Sequence, residues 1–185
     1  MSSLDIPATN TTLRELIVAA SHNQLDDAQL EQFNVALGGL ETTLNLRYTA
    51  VGPDRTAAQL AVAPRHLQLA GLVHGGVFAA IAESVGSLAS IVKAGADRAA
   101  AAAVAASTPG GQGAQGAQQA GRRAQIPPAV VGVDNNTCFL RAVRGGTIEA
   151  TTSCIQAGRT THVWEVSMHN EGQLAAITRL RTMVF

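Results

Sequence analysis

The sequence predicts an α+β fold in which an antiparallel sheet wraps around one central, buried helix. Three observations lead to it. Apolar residues alternate with period two in two short segments before residue 64 and in four segments after residue 128. Between these blocks, Val77, Ile81, Val85, Leu88 and Val92 recur at helical spacing. Turn residues separate the strand-like segments, and no internal repeat is present.

Taken in order, residues 1–36 read as a partly helical N-terminal extension. Leu13, Leu16 and Ile17 have helical spacing, as do Leu30, Phe33 and Leu37, and Asp26 is placed to cap the second helix. A main domain over 37–185 follows. From Leu40 the period is expected to become two, through Leu44, Leu46, Tyr48 and Ala50. After the Gly52-Pro53-Asp54 turn it resumes at Ala58, Leu60 and Val62, giving a hairpin closed off by Pro64.

Residues from about 75 to 93 then form a helix, apolar on one side and almost uncharged on the other. A helix of that kind belongs in a core, not on a surface. Strands are expected at roughly 129–142, 146–157, 161–170 and 173–185. Arg144-Gly145-Gly146, Ala157-Gly158-Arg159 and Asn170-Glu171-Gly172 supply the turns between them. The stretch 94–127 is rich in Ala, Gly and Gln and reads as an insertion. It is either flexible or a loosely held alanine helix; Gly110, Gly111, Gly113 and Gly116 favour a mostly disordered segment.

The composition excludes some classes of function. Of 185 residues, 46% are hydrophobic, which argues against disorder throughout. Lys plus Arg is 13 and Asp plus Glu is 13, so no overall charge steers the chain to nucleic acid or a membrane surface. Any basic site for a phosphorylated ligand must be local. Cys138 and Cys154 form no CxxC and have no metal-type His spacing, so they are expected to be reduced, buried core residues with no metal. No secretory signal and no membrane span are expected, which makes the cytosol the default location.

The chemistry concentrates on the central helix. With Glu83 at zero on a helical wheel of about 100° per residue, Ser87 lies about 40° away. Gly76, Ala79 and Ala80 share that side, opposite the large apolar residues. A lone helical Glu is ordinarily solvated, but one carboxylate on a face of small residues is a candidate base or nucleophile. Ser87 also reads as a small helix-packing residue. Val73-His74-Gly75-Gly76 opens the helix, where unpaired backbone N–H groups and the helix dipole favour negative charge. Gly75 and Gly76 remove side chains that would block an acyl carbonyl there; the plainer reading is a tight turn. Gln68, six residues before His74, adds an amide.

Gln68, His74-Gly75-Gly76, Ala82-Glu83-Ser84 and Ser87 together resemble the hotdog-fold acyl-CoA thioesterases of the phenylacetate-degradation type. The similarity is greatest to their aryl-CoA branch, which includes the 4-hydroxybenzoyl-CoA, 1,4-dihydroxy-2-naphthoyl-CoA and enterobactin-proofreading thioesterases. It continues through Val131–Asn136, Phe139-Leu140-Arg141 and Gly158–Glu165, covering about 40–93 and 129–185. The 94–127 insertion departs from the family pattern.

The resemblance implies hydrolysis of an acyl-CoA, with Glu83 as nucleophile or general base and the Gly75 N–H holding the thioester oxygen. Gln68 and His74 would orient the substrate or the leaving thiolate, and Ser87 would position water. Arg159, Thr160 and Thr161, with Arg141, are the candidates to meet the CoA phosphates, although Arg159 also reads as a solvated turn residue. No cofactor is implied, because the CoA thioester is the substrate. A homodimer or homotetramer is implied, with Gln68, His74 and Gly75 of one chain meeting Glu83 and Ser87 of the next.

Three other readings compete. A hotdog dehydratase would rely on a His with a distant carboxylate, which Glu83 in an Ala-Glu-Ser helix fits less well. A non-catalytic acyl-CoA-binding module would need no carboxylate. A thioesterase for medium or long fatty acyl-CoA differs only in the acyl pocket.

Overall fold

The computed structural model describes residues 11–107, 121–122 and 125–185. Four helices and six strands follow one another: α1 (Thr11–Ala20), α2 (Asp27–Ala36), α3 (Gly39–Leu44), β1 (Leu46–Ala50), β2 (Ala57–Ala61), α4 (Gly75–Ser107), β3 (Val130–Phe139), β4 (Thr147–Ala157), β5 (Thr161–Asn170) and β6 (Gln173–Val184). A single 3₁₀ turn at Pro64–His66 lies between β2 and α4. The strands form one antiparallel sheet in the order β1-β2-β4-β5-β6-β3.

Local chemistry sets these boundaries. Asp26 caps α2 reciprocally with Gln29: the Gln29 N–H donates to Asp26 Oδ1 at 2.8 Å and the Asp26 N–H donates to Gln29 Oε1 at 3.1 Å. The β5–β6 hairpin turns on Glu171 (φ 51°) and Gly172 (φ 76°) between the paired Asn170 and Gln173. Two consecutive positive φ values match the right-handed twist of the flanking strands.

Residues 40–44 are helical, where the sequence reading expected a strand. Glu41-Thr42-Thr43 do not alternate with apolar residues, and Asn45 (φ 57°) ends the helix in the left-handed conformation. Alternation starts properly at Leu46, Tyr48 and Ala50, all buried.

The central helix is where expected and longer than expected. Val77, Ile81, Val85, Leu88 and Val92 are all buried beneath the sheet. Gly86 lets the backbone lie against it, since a Cβ there would overlap Leu180 and sit 3.5 Å from Val166. The helix runs on to Ser107, so residues 94–107 are helix and not a disordered insertion. Alanine has the highest helix propensity, and no Gly or Pro interrupts residues 96–107. The remaining part, with Gly110, Gly111, Gly113 and Gly116, lies outside the described residues.

By length and composition α4 could cross a membrane, but half of its most apolar window is buried inside the protein, as befits a core helix. Leu16 and Ile17 of α1 and Phe33 of α2 join the same core, with Phe33 edge-on to Tyr48 at 5.4 Å between ring centroids.

Both cysteines are exposed, contrary to the expectation of burial. Cys138 is on the edge strand β3. Cys154 lies on β4 beyond Thr151, the last β4 residue paired with β2.

Candidate active site

The site begins with the tongue between His66 and His74. Leu67 bridges Val73, the Gln68 N–H donates to the Leu72 carbonyl at 2.7 Å, and the Gly71 N–H donates to the Gln68 carbonyl at 2.8 Å. Gly71 (φ 73°) supplies the left-handed residue that this tight turn requires.

His66 fixes the base of the tongue. Its Nδ1 accepts the Ala63 N–H at 3.0 Å, so its Nε2, 2.9 Å from the Leu44 carbonyl, is the donor. Burial pushes the His66 pKa below its ordinary value. Arg65 pushes the same way, and the Leu44 carbonyl partly opposes both. The backbone carbonyl of His66 accepts the His74 N–H at 2.9 Å, and the Val73 N–H donates to the Val143 carbonyl at 2.8 Å. His74 is thereby delivered to the start of α4.

At that helix start, His74 Nδ1 accepts the Gly76 N–H at 2.9 Å, and the His74 carbonyl accepts the Val77 N–H at 2.9 Å. The Gly75 N–H finds no acceptor among the described residues. It is the donor left for a ligand oxygen, at the positive end of a 33-residue helix.

Gln68, His74 and Gly75 line one groove of about 570 Å³ together with Phe78, Phe139 and Arg141. The Gln68 Oε1 accepts the Ala70 N–H at 2.6 Å, which leaves the amide NH₂ as the end able to donate to a ligand. Arg141 is exposed and carries the groove's cationic group.

Glu83 lines a second groove of about 590 Å³ with Leu40, Ala79, Ala80, Ser84, Asn135, Thr137 and Phe139. Its carboxylate leans toward Gly132 of β3. Asn135 ties this strand to the helix: its Nδ2 donates to the Ala79 carbonyl at 3.0 Å, and its Oδ1 accepts from Thr137 Oγ1 at 2.8 Å. Thr137 in turn lies 2.7 Å from Thr178 Oγ1. Within one chain Glu83 is exposed.

Of the sequence-predicted residues, the structure brings Gln68, His74, Gly75 and Arg141 together. Glu83 stands apart from them. Gly75 and Glu83 are eight residues apart on one helix, roughly 12 Å of rise, which is too far for both to reach one carbonyl in the same chain. Ser87 is a turn beyond Glu83, half-buried, and lines neither groove; Gly76 is exposed beside His74. Arg159, Thr160 and Thr161 sit at the other end of the sheet. There the Thr160 carbonyl accepts the Val184 N–H at 3.0 Å and Thr161 pairs with Met183, while Phe139 pairs with Ala176, itself opposite Met168. Thr161 to Met168 spans roughly 23 Å of strand.

Sequence reasoning gave no role to His66, Gly132, Asn135, Thr137 or Phe139. Their parts depend on which strand lies beside α4, which no local pattern encodes.

Comparison with known proteins identifies the family. The sequence profile of the thioesterase superfamily matches residues 70–177. A candidate esterase of Mycobacterium tuberculosis is 34% identical over 131 residues, covering 71% of this chain and 74% of its own. The 1,4-dihydroxy-2-naphthoyl-CoA hydrolase of Escherichia coli is 26% identical, covering 80% of this chain and 87% of its own. The crystal structure of a thioesterase of Haemophilus influenzae superposes with a TM-score of 0.63 at 28% identity, covering 84% of this chain and 90% of that one. An antiparallel sheet around a long core helix, a free N–H at that helix's start and a carboxylate farther along it thus accompany a family match over more than half of the chain: the chain belongs to the thioesterase superfamily and is a hotdog-fold acyl-CoA thioesterase.

Proposed function

We propose that this thioesterase hydrolyses aromatic acyl-CoA esters at a site assembled from two subunits. One subunit supplies Gln68, His74 and Gly75, and the other supplies Glu83 and Ser87. The observation that carries this reading is the separation of the free Gly75 N–H from Glu83 along a single helix. One chain offers the oxyanion donor and the carboxylate in two different grooves. A second copy can bring its own carboxylate to the first copy's donor.

In this reading the thioester oxygen rests on the Gly75 N–H, and negative charge develops there as the carbonyl carbon becomes tetrahedral. Two routes suit Glu83. As general base it takes a proton from water while the water oxygen bonds to the carbonyl carbon. As nucleophile its own oxygen bonds to that carbon, and water then cleaves the resulting anhydride. Either way the C–S bond breaks, CoA leaves as thiolate and takes up a proton, and the free acid is released. No cofactor enters either route. Gln68 and His74 orient the thioester or the leaving sulfur, Ser87 positions water, and Arg141 meets a CoA phosphate. Arg159, Thr160 and Thr161, remote from these groups in their own chain, act only where subunits meet.

The aromatic preference draws on the small residues beside Glu83, where Ala79 and Ala80 leave room for a flat ring. It also draws on similarity to a relative named for a naphthoyl-CoA substrate. The test is a hydrolysis screen over aryl- and fatty acyl-CoA esters with the wild-type protein and Glu83→Gln. Cleavage of aryl-CoA that falls about a hundredfold or more in the variant is expected. A tenfold preference for palmitoyl-CoA over every aryl ester would overturn the substrate class and leave the thioesterase intact.

A further inference from the structure

Phe139 is the last residue of β3 and is 58% exposed, although it sits at the mouth of both grooves and belongs to each. The far end of its ring lies against Gly75: a Cβ built on that glycine would be 2.7 Å from the Phe139 Cζ. Behind it stands Phe78, buried on α4, with ring centroids 6.1 Å apart at 50°. Phe78 is held by burial beside it, and more than half of Phe139 is left exposed. An exposed aromatic ring at such a place is poorly explained by core packing alone.

Because Gly75 carries the free N–H, any thioester whose oxygen rests there meets the Phe139 ring. Gln68 and Arg141 line the same groove and suit the polar CoA arm, which leaves the exposed ring to the acyl end of a thioester held on Gly75. We propose that Phe139 is a specificity-determining residue whose exposed ring packs against the acyl group and favours a flat aromatic acyl over a flexible alkyl chain. Ring–ring contact adds stabilisation beyond area burial, whereas an alkyl chain loses rotamer freedom when held against a flat wall. This rests on the oxyanion role proposed above for Gly75.

The experiment compares kcat and KM for benzoyl-CoA and hexanoyl-CoA in the wild type, Phe139→Leu and Phe139→Met, with melting temperature and circular dichroism as folding checks. The benzoyl-to-hexanoyl ratio of kcat/KM should fall roughly fivefold or more in both variants, chiefly through a higher KM for benzoyl-CoA. The loss in kcat/KM on hexanoyl-CoA should be several-fold smaller than the loss on benzoyl-CoA. Equal losses on both substrates would show that Phe139 only props the helix start, and an unchanged ratio would show that the ring does not touch the acyl group; either result overturns the proposal. A wild-type protein that cleaves neither ester would instead remove the Gly75 reading beneath it.

Discussion

The carboxylate of Glu83 on the central helix occupies space that only a glycine at position 132 leaves open. A Cβ built on Gly132 would overlap Glu83 Oε1 and lie 3.0 Å from Cδ. The pressure would fall on the far end of a flexible side chain, so Gly132→Ala should fold normally but push the carboxylate off its position. Displacements of about 1 Å at a reacting group can cost on the order of a hundredfold. We expect kcat for acyl-CoA hydrolysis to fall at least tenfold with the melting temperature within a few degrees of wild type. Unchanged turnover would show that the Glu83 position seen here is not the working one.

Two buried histidines give the protein a stability profile that falls toward acid. His66 and His162 are each about 1% exposed, and burial lowers the pKa of both below the ordinary 6.5. For His162, Lys93 adds to that lowering, while Asp97 and the Gly158 carbonyl oppose it. Below pH 6.5 the unfolded chain therefore binds protons that the folded chain resists. The stabilisation is complete above pH 6.5 and is lost as pH falls through the lower folded values. Each group contributes a slope of up to about 1.4 kcal/mol per pH unit within its window. Melting temperature should be flat from pH 8 to 7 and then decline between pH 6.5 and 5. A curve flat to pH 5 would contradict neutral His66 and His162 in the fold.

Most of the architecture was legible because it rests on periodic burial. Val77 through Val92 on the helix and Trp164, Val166 and Met168 on β5 face the core as their spacing predicts. The departures have local causes. At 40–44 a short helix replaces a strand because Glu41-Thr42-Thr43 carries no alternation. At 94–107 alanine propensity outweighs the low complexity that suggested disorder. Cys138 and Cys154 are exposed because sheet edges and overhangs are set by strand order, which pairing decides and composition does not. For the site, the resemblance grouped Gln68, His74 and Gly75, which share a groove, and set Glu83 and Ser87 on another chain. That Arg141 joins the first groove while Arg159 lies far from it depends on strand order and register, which no motif encodes.

A buried polar cluster links the far half of α4 to the sheet. The Trp164 Nε1–H donates to Ser90 Oγ at 2.6 Å, and Ser90 Oγ lies 2.7 Å from Thr182 Oγ1. Ser90→Ala strips both of a partner in a dry environment, at a cost of about 1–3 kcal/mol. Trp164 is the protein's one tryptophan, so its emission should change along with the lowered stability. Wild-type stability and emission in Ser90→Ala would show that the cluster is not satisfied as described.

Arg141 and Arg159 should behave differently toward the CoA phosphates. Arg141 lines the Gly75 groove, whereas Arg159 lies at the opposite end of the sheet. Arg141→Ala should raise KM for acyl-CoA several-fold at low salt, with the effect shrinking as ionic strength rises. Arg159→Ala should raise KM only in an oligomer that brings its turn to another subunit's groove. An Arg141→Ala enzyme with unaltered KM at every salt concentration would remove this side chain from the phosphate site.

The central claim is that hydrolysis needs the Gly75 groove of one chain and Glu83 of another, and subunit mixing tests it most directly. Glu83→Gln and the double variant Gln68→Ala/His74→Ala should each be nearly inactive alone. Mixed in equal amounts and allowed to exchange, half of the dimers would pair unlike chains, and one of the two sites in each would be intact. The account predicts recovery of roughly a quarter of wild-type activity from two inactive parents. A mixture that stays at the level of its parents, despite verified subunit exchange, would show that each chain works with its own Glu83 and would contradict the composite site.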